Sequence, residues 1–336
     1  MKQFILLFSF ICIATSTYAQ YKPDFLGDEY MHRTFNMPND YEGAVVSTLI
    51  RRTPNPKIKK AILYVHGYND YFFQKQLGDS AAVHGYNFYA VDLRKYGRSI
   101  LAHQDTFAVH NLNEYFADID TALHTMIQEG QQEIVLMAHS TGGLTTPLYV
   151  TQSKYKTKIK ALVLNSPFFD MNMSKWMENL VIPAVSFVGS YFPDIVVDGR
   201  ALSMYAESLL TQFHGEWNYN TDWKLTYGHP IRSGWIHAIH AGQQTLQEGL
   251  ALDLPILVMS SDKSLKDNGE WNNAFLTADI VLDVADIQKY GETLGNDVTR
   301  IKITDGIHDL VLSPLKARNE TYKVIFQFLA TKLPKE

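Results

Sequence analysis

Six short apolar runs set the limits on what this chain can fold into: "KAILYVHG" (60–67), "YNFYAVDLR" (86–94), "EIVLMAHS" (133–140), "IKALVLNSP" (159–167), "LPILVMSS" (254–261) and "VTRIKIT" (298–304). Each is too short for a buried helix and has the length of a strand hidden on both faces. Between several of them lie segments with helical spacing. "QKQLGDSAAVHG" (74–85) ends in a glycine stop. In 111–130 the apolar residues Leu112, Tyr115, Phe116, Ile119, Leu123 and Met126 line one helical face, closed by Gly130. A last helix is expected from about Pro314 to Leu333, and "GAVVSTLIRR" (43–52) reads as an outer antiparallel strand. Buried strands alternating with helices predict an α/β fold, with a mostly parallel central sheet and helices on both faces.

One stretch breaks this rhythm. Between Pro167 and Leu254 no clean strand–helix pair recurs, and aromatic residues crowd in: Phe168, Trp176, Phe187, Tyr191, Tyr205, Trp217, Tyr219, Trp223 and Trp235 among them. Its place between two core strands predicts an inserted cap over about residues 168–250, folded across one end of the sheet. Residues 20–336 would then form one domain, with no internal repeat and no low-complexity tract.

The N-terminus has its own signature. "MKQFILLFSFICIATSTYAQ" carries Lys2, an apolar core from Phe4 to Ala14 and small polar residues up to Tyr18-Ala19-Gln20, the pattern of a secretory signal peptide cleaved after Ala19. The apolar run falls short of the ~20 residues that a membrane span needs. A secreted or periplasmic location follows, with no stable membrane span once the leader is removed. Ile11 before Cys12 argues against a lipoprotein. Cys12 is the only cysteine, so the processed chain would carry neither a disulfide nor thiol chemistry. A net charge of −5, with no cluster of Lys and Arg, gives no footprint for nucleic acid. The sequence has no H-E-x-x-H motif and no local group of metal-ligand spacing, so neither a metal nor another cofactor is expected. Oligomeric state leaves no mark in the sequence.

The chemistry centres on "LMAHSTGG" (136–143). Ser140 falls where a buried strand gives way to a helix, the setting of a nucleophile elbow. There the backbone turns so sharply that the residues two before and two after must be small. Ala138 and Gly142 are small, although the usual first residue is glycine. Pro147 limits where the first turn of the following helix can lie. A serine hydroxyl needs a base to take its proton. Among 12 histidines, His308 in "ITDGIHDLVLS" is the best placed, because a loop after the last strand emerges at the carboxyl edge of a parallel sheet, the same edge as the elbow. His139 adjoins the serine but is expected to point elsewhere. His229, His237 and His240 fall in the cap and are candidates for lining a pocket. Two aspartates compete to orient the base. Asp262 directly follows a strand. Asp279, in "LTADIVLDV", comes after a polar excursion, but its shorter gap to His308 leaves room for one helix and one strand, and this favours Asp279, with Asp262 the alternative and Asp283 a weaker third. For the oxyanion, the backbone N–H groups of Tyr68, after His66-Gly67, and of Thr141 stand in the expected order.

Taken together, "HGYND", "DLRKYGRS", "AHSTGG" and "DGIHD" resemble the α/β-hydrolase superfamily, in particular its monoglyceride lipase, lysophospholipase and serine aminopeptidase branch, over about residues 43–333. The resemblance implies an α/β-hydrolase fold, His66-Gly67-Tyr68 as the oxyanion loop, Ser140 as nucleophile and His308 as base. It also implies an acid that opens a run matching Asp279-Ile280-Val281-Leu282-Asp283. The departures are Ala138, Lys95-Tyr96 where glycine and histidine are common, and the excursion before Asp279. The expected function is a secreted serine hydrolase that cleaves carboxylic esters through an acyl-enzyme, on short- or medium-chain or monoacylglycerol-like small-molecule substrates. An aminopeptidase or amidase of the same fold is the alternative within enzymes, and would need a cap carboxylate such as Glu207, Glu216 or Asp222 to hold an amine. A non-catalytic binding protein of this fold is the alternative outside them.

Overall fold

The computed structural model describes residues 20–198 and 203–334. The expected leader, residues 1–19, lies outside them. In chain order the strands are β1 (Lys22–Pro23), β2 (Tyr30–Asp40), β3 (Gly43–Arg52), β4 (Lys60–Val65), β5 (Asn87–Asp92), β6 (Glu133–His139), β7 (Ile159–Asn165), β8 (Val196–Asp198), β9 (Ile231–Arg232), β10 (Ile256–Ser261) and β11 (Val298–Ile303). The helices are α1 (Lys75–Val83), α2 (Phe116–Gln128), α3 (Thr141–Gln152), α4 (Ile182–Gly189), α5 (Met204–Leu209), α6 (Ser233–Gln247), α7 (Val284–Gly291) and α8 (Leu315–Lys332).

Nine strands make one sheet in the order β1-β2-β3-β5-β4-β6-β7-β10-β11, and β8 pairs with β9 apart from it. From β5 to β11 the neighbours run parallel, while β1, β2 and β3 add an antiparallel edge. Side-chain alternation along the strands builds two apolar layers. Leu63 and Val65 of β4 and Leu136 and Ala138 of β6 pack with Ile119, Leu123 and Leu144 on one face. Ile62, Tyr64, Val135 and Met137 pack with Leu77, Ile325 and Leu329 on the other. This is why the central strands read as continuous apolar runs: both of their faces are covered. Among the described residues no helix is long and apolar enough to cross a membrane.

The 111–130 segment divides. A 3₁₀ turn, Leu112–Tyr115, starts on a capping box between Asn111 and Glu114, and α2 follows it. Helix α3 runs through Pro147, which the sequence suggested as a limit on its start. The first ten residues of α3 are all buried, and that packing outweighs one lost backbone bond. Strand β2 had no clear sequence signal. It lies near the sheet edge, mixes polar and apolar residues and contains Pro38. At the unusual Lys95 the backbone adopts φ +65°. Its ammonium is buried, 2.8 Å from Asp40 and also against Glu42, and so ties the β2–β3 turn to the loop after β5.

Between β7 and β10 the chain leaves the sheet. Helices α4 and α5 and the β8–β9 pair lie in this excursion, whose last helix, α6, packs on α3. Trp235, Ile236, Ile239 and Leu246 of α6 belong to the same apolar layer as β6. Gly242 marks the closeness of this packing, since a Cβ there would lie 2.6 Å from a Leu112 methyl.

Candidate active site

The register of the parallel strands brings the functional loops to one edge. Val65 pairs with Ala138 and His139 with Asn165, so the chain leaves β4, β6 and β7 at the same level. Ser140 sits between β6 and α3 at φ +51°, ψ −119°. A non-glycine residue in this region carries roughly 1–3 kcal/mol of strain, held by the structure around it. The turn is packed against the end of β4. A Cβ on Gly142 would fall 2.4 Å from the His66 carbonyl oxygen, and one on Gly67 would fall 2.8 Å from the Ser140 Cβ. Ala138 is fully buried, with its methyl in the apolar layer shared by Leu144 and Leu164. Thr141 opens α3, so its amide has no partner within the helix.

Ser140, His308 and Asp279 form one hydrogen-bonded line. Ser140 Oγ lies 3.1 Å from His308 Nε2, and His308 Nδ1 lies 2.9 Å from Asp279 Oδ2. Asp279 Oδ1 accepts from the amides of Val281 (2.8 Å) and Leu282 (2.9 Å), which fixes the carboxylate while Oδ2 faces the imidazole. The polar excursion after β10 returns beside its own start: the Asp279 amide donates to the Lys263 carbonyl, and the Leu265 amide to the Asp279 carbonyl. Asp262 is turned away and accepts from the Asp305 amide at 3.1 Å. Asp283 caps α7 through the Ala285 amide.

The loop that carries His308 is anchored through its neighbours. Asp309 Oδ1 accepts from Asn165 Nδ2 at 2.7 Å, and Oδ2 accepts from Gln74 Nε2 at 3.2 Å. Asn165 Oδ1 takes the Leu310 amide, and Ser261 Oγ donates to the Gly306 carbonyl. The second aspartate of "DGIHD" and the asparagine that ends β7 are thus positioning residues that their short motifs do not single out.

A cavity of about 400 Å³ opens above this line. Phe168, Leu225, Ile231, Trp235, Ile280 and Leu282 give it an apolar wall, and Tyr68 and Thr141 also border it. His229 lines it, as the sequence allowed. His237 instead meets Ser186, and His240 faces a different pocket. His139 departs from expectation: its ring does not point away but lies 4.8 Å from the His308 ring and borders the cavity. The aromatic residues of the excursion divide. Phe168, Tyr205, Tyr219 and Trp235 face the cavity. Trp176, Phe187, Tyr191, Phe192, Phe213 and Tyr227 are exposed. Glu207, Glu216 and Asp222 do not line the cavity; Asp267 does.

The segment after "HG" is bound to the excursion between β7 and β10. Asn69, at φ +48°, accepts from the Leu225 amide (2.7 Å) and donates to the Leu225 carbonyl (2.9 Å). Asp70 accepts from Lys224 Nζ at 2.9 Å, and Tyr71 OH accepts from the Asn220 amide at 2.8 Å. Burial alone would raise the Asp70 carboxyl, but the Lys224 ammonium and His139 hold it well below the usual carboxylate range. Burial lowers His66, whose Nε2 accepts from the Leu93 amide while Nδ1 faces the Gly67 carbonyl. That pattern suits a neutral structural imidazole. Asp70, His139 and Asp309 bring ligand-type atoms within 4.8 Å of one another, although no local spacing in the sequence pairs them. The Lys224 ammonium already supplies the cation beside Asp70.

Comparisons with known proteins agree with this architecture. No curated protein sequence matches the chain. A soluble variant of monoglyceride lipase from Saccharomyces cerevisiae, solved with a substrate analog, superimposes with a TM-score of 0.60 at 18% identity, covering 96% of this chain and 98% of that one. The monoacylglycerol lipase of Paleococcus ferrophilus gives 0.58 at 17% identity, over 91% and 100% of the two chains. Est1E of Butyrivibrio proteoclasticus, solved with ferulic acid, gives 0.53 at 12% identity, over 94% and 100%. At these identities the likeness is one of fold. The family described as serine aminopeptidase, S33, matches residues 56–267, a stretch that holds the "HG" loop and Ser140 but ends before Asp279 and His308. The match spans more than half of the sequence, and the chain therefore belongs to that family and has the α/β-hydrolase fold.

Proposed function

We propose that this protein is a serine hydrolase of carboxylic esters, exported from the cytoplasm to the periplasm or beyond. The observation that carries the reading is the line Ser140–His308–Asp279 at the base of the cavity. His308 takes the Ser140 proton as the hydroxyl attacks the ester carbonyl. Asp279 holds the imidazole in the required tautomer and stabilises the imidazolium that forms. The amides of Thr141 and Tyr68 are the proposed donors to the oxyanion, usually the largest single contribution in such chemistry. The alcohol departs with the proton from His308, and water then cleaves the acyl-enzyme by the same route reversed. The apolar wall suits a short or medium acyl chain or a monoacylglycerol-like ester. Export rests on the N-terminal sequence, with Lys2, the apolar Phe4–Ala14 core and Ala19.

Covalent labelling by a fluorophosphonate, abolished in Ser140→Ala, is the expected result. A folded wild-type protein that takes no label would sink the proposal. The family description favours a second reading, an aminopeptidase. Comparing nitrophenyl esters with aminoacyl amides separates the two, and faster turnover of the amides would replace the ester reading.

A further inference from the structure

Of the four sequence motifs, "DLRKYGRS" alone takes no part in the proposed mechanism, yet its residues close on the loop that carries Tyr68. Asp92 ends β5, and Gly97–Ser99 form a 3₁₀ turn shortly after it. Asp92 Oδ1 accepts from the Phe72 amide at 2.9 Å, and Oδ2 accepts from the Arg98 amide (3.0 Å) and from Arg98 Nη1 (2.8 Å). Arg98 Nη1 also donates to the Phe72 carbonyl at 3.1 Å, so both backbone groups of Phe72 are held. Gly97, at φ +49°, lets the turn come this near, since a Cβ there would lie 2.5 Å from the Tyr71 Cβ. The other side of the guanidinium faces the segment before β2. Arg98 Nε and Nη2 donate to the two oxygens of Asp24, at 2.7 and 2.8 Å. The Phe25 ring lies 4.4 Å from the guanidinium carbon and 5.9 Å from the Trp223 ring. The side chains of Asp24, Asp92 and Arg98 are almost fully buried.

We propose that Arg98, braced by Asp24, is a positioning residue for the oxyanion donor at Tyr68. The inference rests on the ester-hydrolase reading and adds to it the side chains that fix the loop donor. The two proposed donors are not held alike. The Thr141 amide opens a buried helix and is fixed by α3. The Tyr68 amide belongs to a loop, and its place depends on where that loop is pinned. One pin lies before it: His66, just after β4, accepts the Leu93 amide through Nε2. The bonds from Asn69 and Asp70 to the excursion hold the outer side of the loop. Phe72, four residues beyond Tyr68, is the far pin, and Asp92 and Arg98 hold it. A planar guanidinium with two carboxylate partners keeps its orientation where a single bond would pivot. Once the far pin is loosened, a displaced Tyr68 amide weakens the hold on the tetrahedral intermediate but not on the bound substrate.

Two variants test this. Arg98→Lys keeps the charge but loses the fork, and Asp24→Asn removes the outer carboxylate while leaving Arg98 on Asp92. Each is compared with wild type and with Glu29→Gln, which removes an exposed ion pair to Arg52 in the same stretch of chain. The readouts are kcat and KM on a nitrophenyl ester, and inhibition by a trifluoromethyl ketone, whose adduct with Ser140 carries the oxyanion. Arg98→Lys should lower kcat about tenfold and Asp24→Asn about threefold, a part of the roughly 10²–10³-fold cost of removing a whole donor. Inhibition by the ketone should weaken by the same factors, while KM stays within about twofold. A loss of stability in chemical denaturation with kcat and ketone inhibition unchanged, in either folded variant, would overturn the proposal, as would a rise in KM alone. If Arg98→Lys does not fold, Asp24→Asn decides by the same criteria. Fluorophosphonate labelling of the wild type reads the hydrolase proposal separately: no label sinks both, whereas label with unchanged variants sinks only the positioning role.

Discussion

In β6 and β7 every residue from Ile134 to His139 and from Ala161 to Asn165 is buried, whereas Phe187, Tyr191 and Phe192 of the overlying segment are 68%, 69% and 64% exposed. Both regions are rich in apolar residues. The body uses them as a two-faced core. The excursion between β7 and β10 divides them: Ile236, Ile239 and Leu246 of α6 join the body's core and others line the cavity, and the excursion is also held by specific bonds: Trp217 Nε1 to the Leu312 carbonyl, Leu225 to Asn69, Lys224 to Asp70 and Arg232 to Asp105. Hydrophobic composition therefore reports burial in the central strands but not in the 187–192 stretch. A large apolar residue left in water adds little to the fold.

The largest test of this contrast is chemical. Asp279→Asn should lower kcat by about 10⁴-fold, as the loss of the orienting acid does in related triads, while Asp262→Asn stays within a few-fold. Steady-state rates on a nitrophenyl ester measure both, and the opposite pattern would transfer the acid's role to Asp262. In the body, Leu136→Ala should cost about 4 kcal/mol in chemical denaturation, because the side chain is fully buried between packed layers. At the junction, Asp70→Asn should cost about 3 kcal/mol by leaving the Lys224 ammonium buried and unpaired. The folded Asp70 carboxyl is depressed, so its stabilisation is complete above the unfolded carboxylate value of about 4 and is lost as the pH falls below it. The stability gap between wild type and Asp70→Asn should therefore be widest near neutrality and narrow below about pH 4. In the excursion, Phe187→Ser should change stability by no more than about 0.5 kcal/mol. A loss there as large as that at Leu136 would mean that the excursion's outer aromatics are buried in solution, and the contrast would collapse.

The body was legible because its signals are local. The run 133–140 becomes β6 to within a residue, and 43–52 is β3, since chain direction and burial on both faces leave their mark on consecutive side chains. Ser140 and His308 were legible for a related reason: Ser140 directly follows β6, and His308 lies in the loop after β11. Asp279 was harder, because its place beside β10 depends on a backbone bridge to Ser264 across the excursion. Lys224 was not legible at all. Its partner Asp70 lies 154 residues away, and an isolated lysine among aromatics carries no spacing signal. His139 was misread because a tight turn was expected to send its ring away, whereas Gly67 and Gly142 let β4 approach so closely that the ring stays beside His308.

The clasp between residues 69–71 and 220–225 bears on how such chains can be recombined. An excursion between two core strands invites the picture of a module joined at two points and transplantable on its own. Here three consecutive residues beside the "HG" turn are shaped by backbone and side-chain bonds to the excursion. A foreign excursion without the equivalents of Leu225, Lys224 and Asn220 would leave that turn without its supports. The smallest transplantable unit is thus the excursion together with the loop after β4, two pieces far apart in the chain that must travel as one.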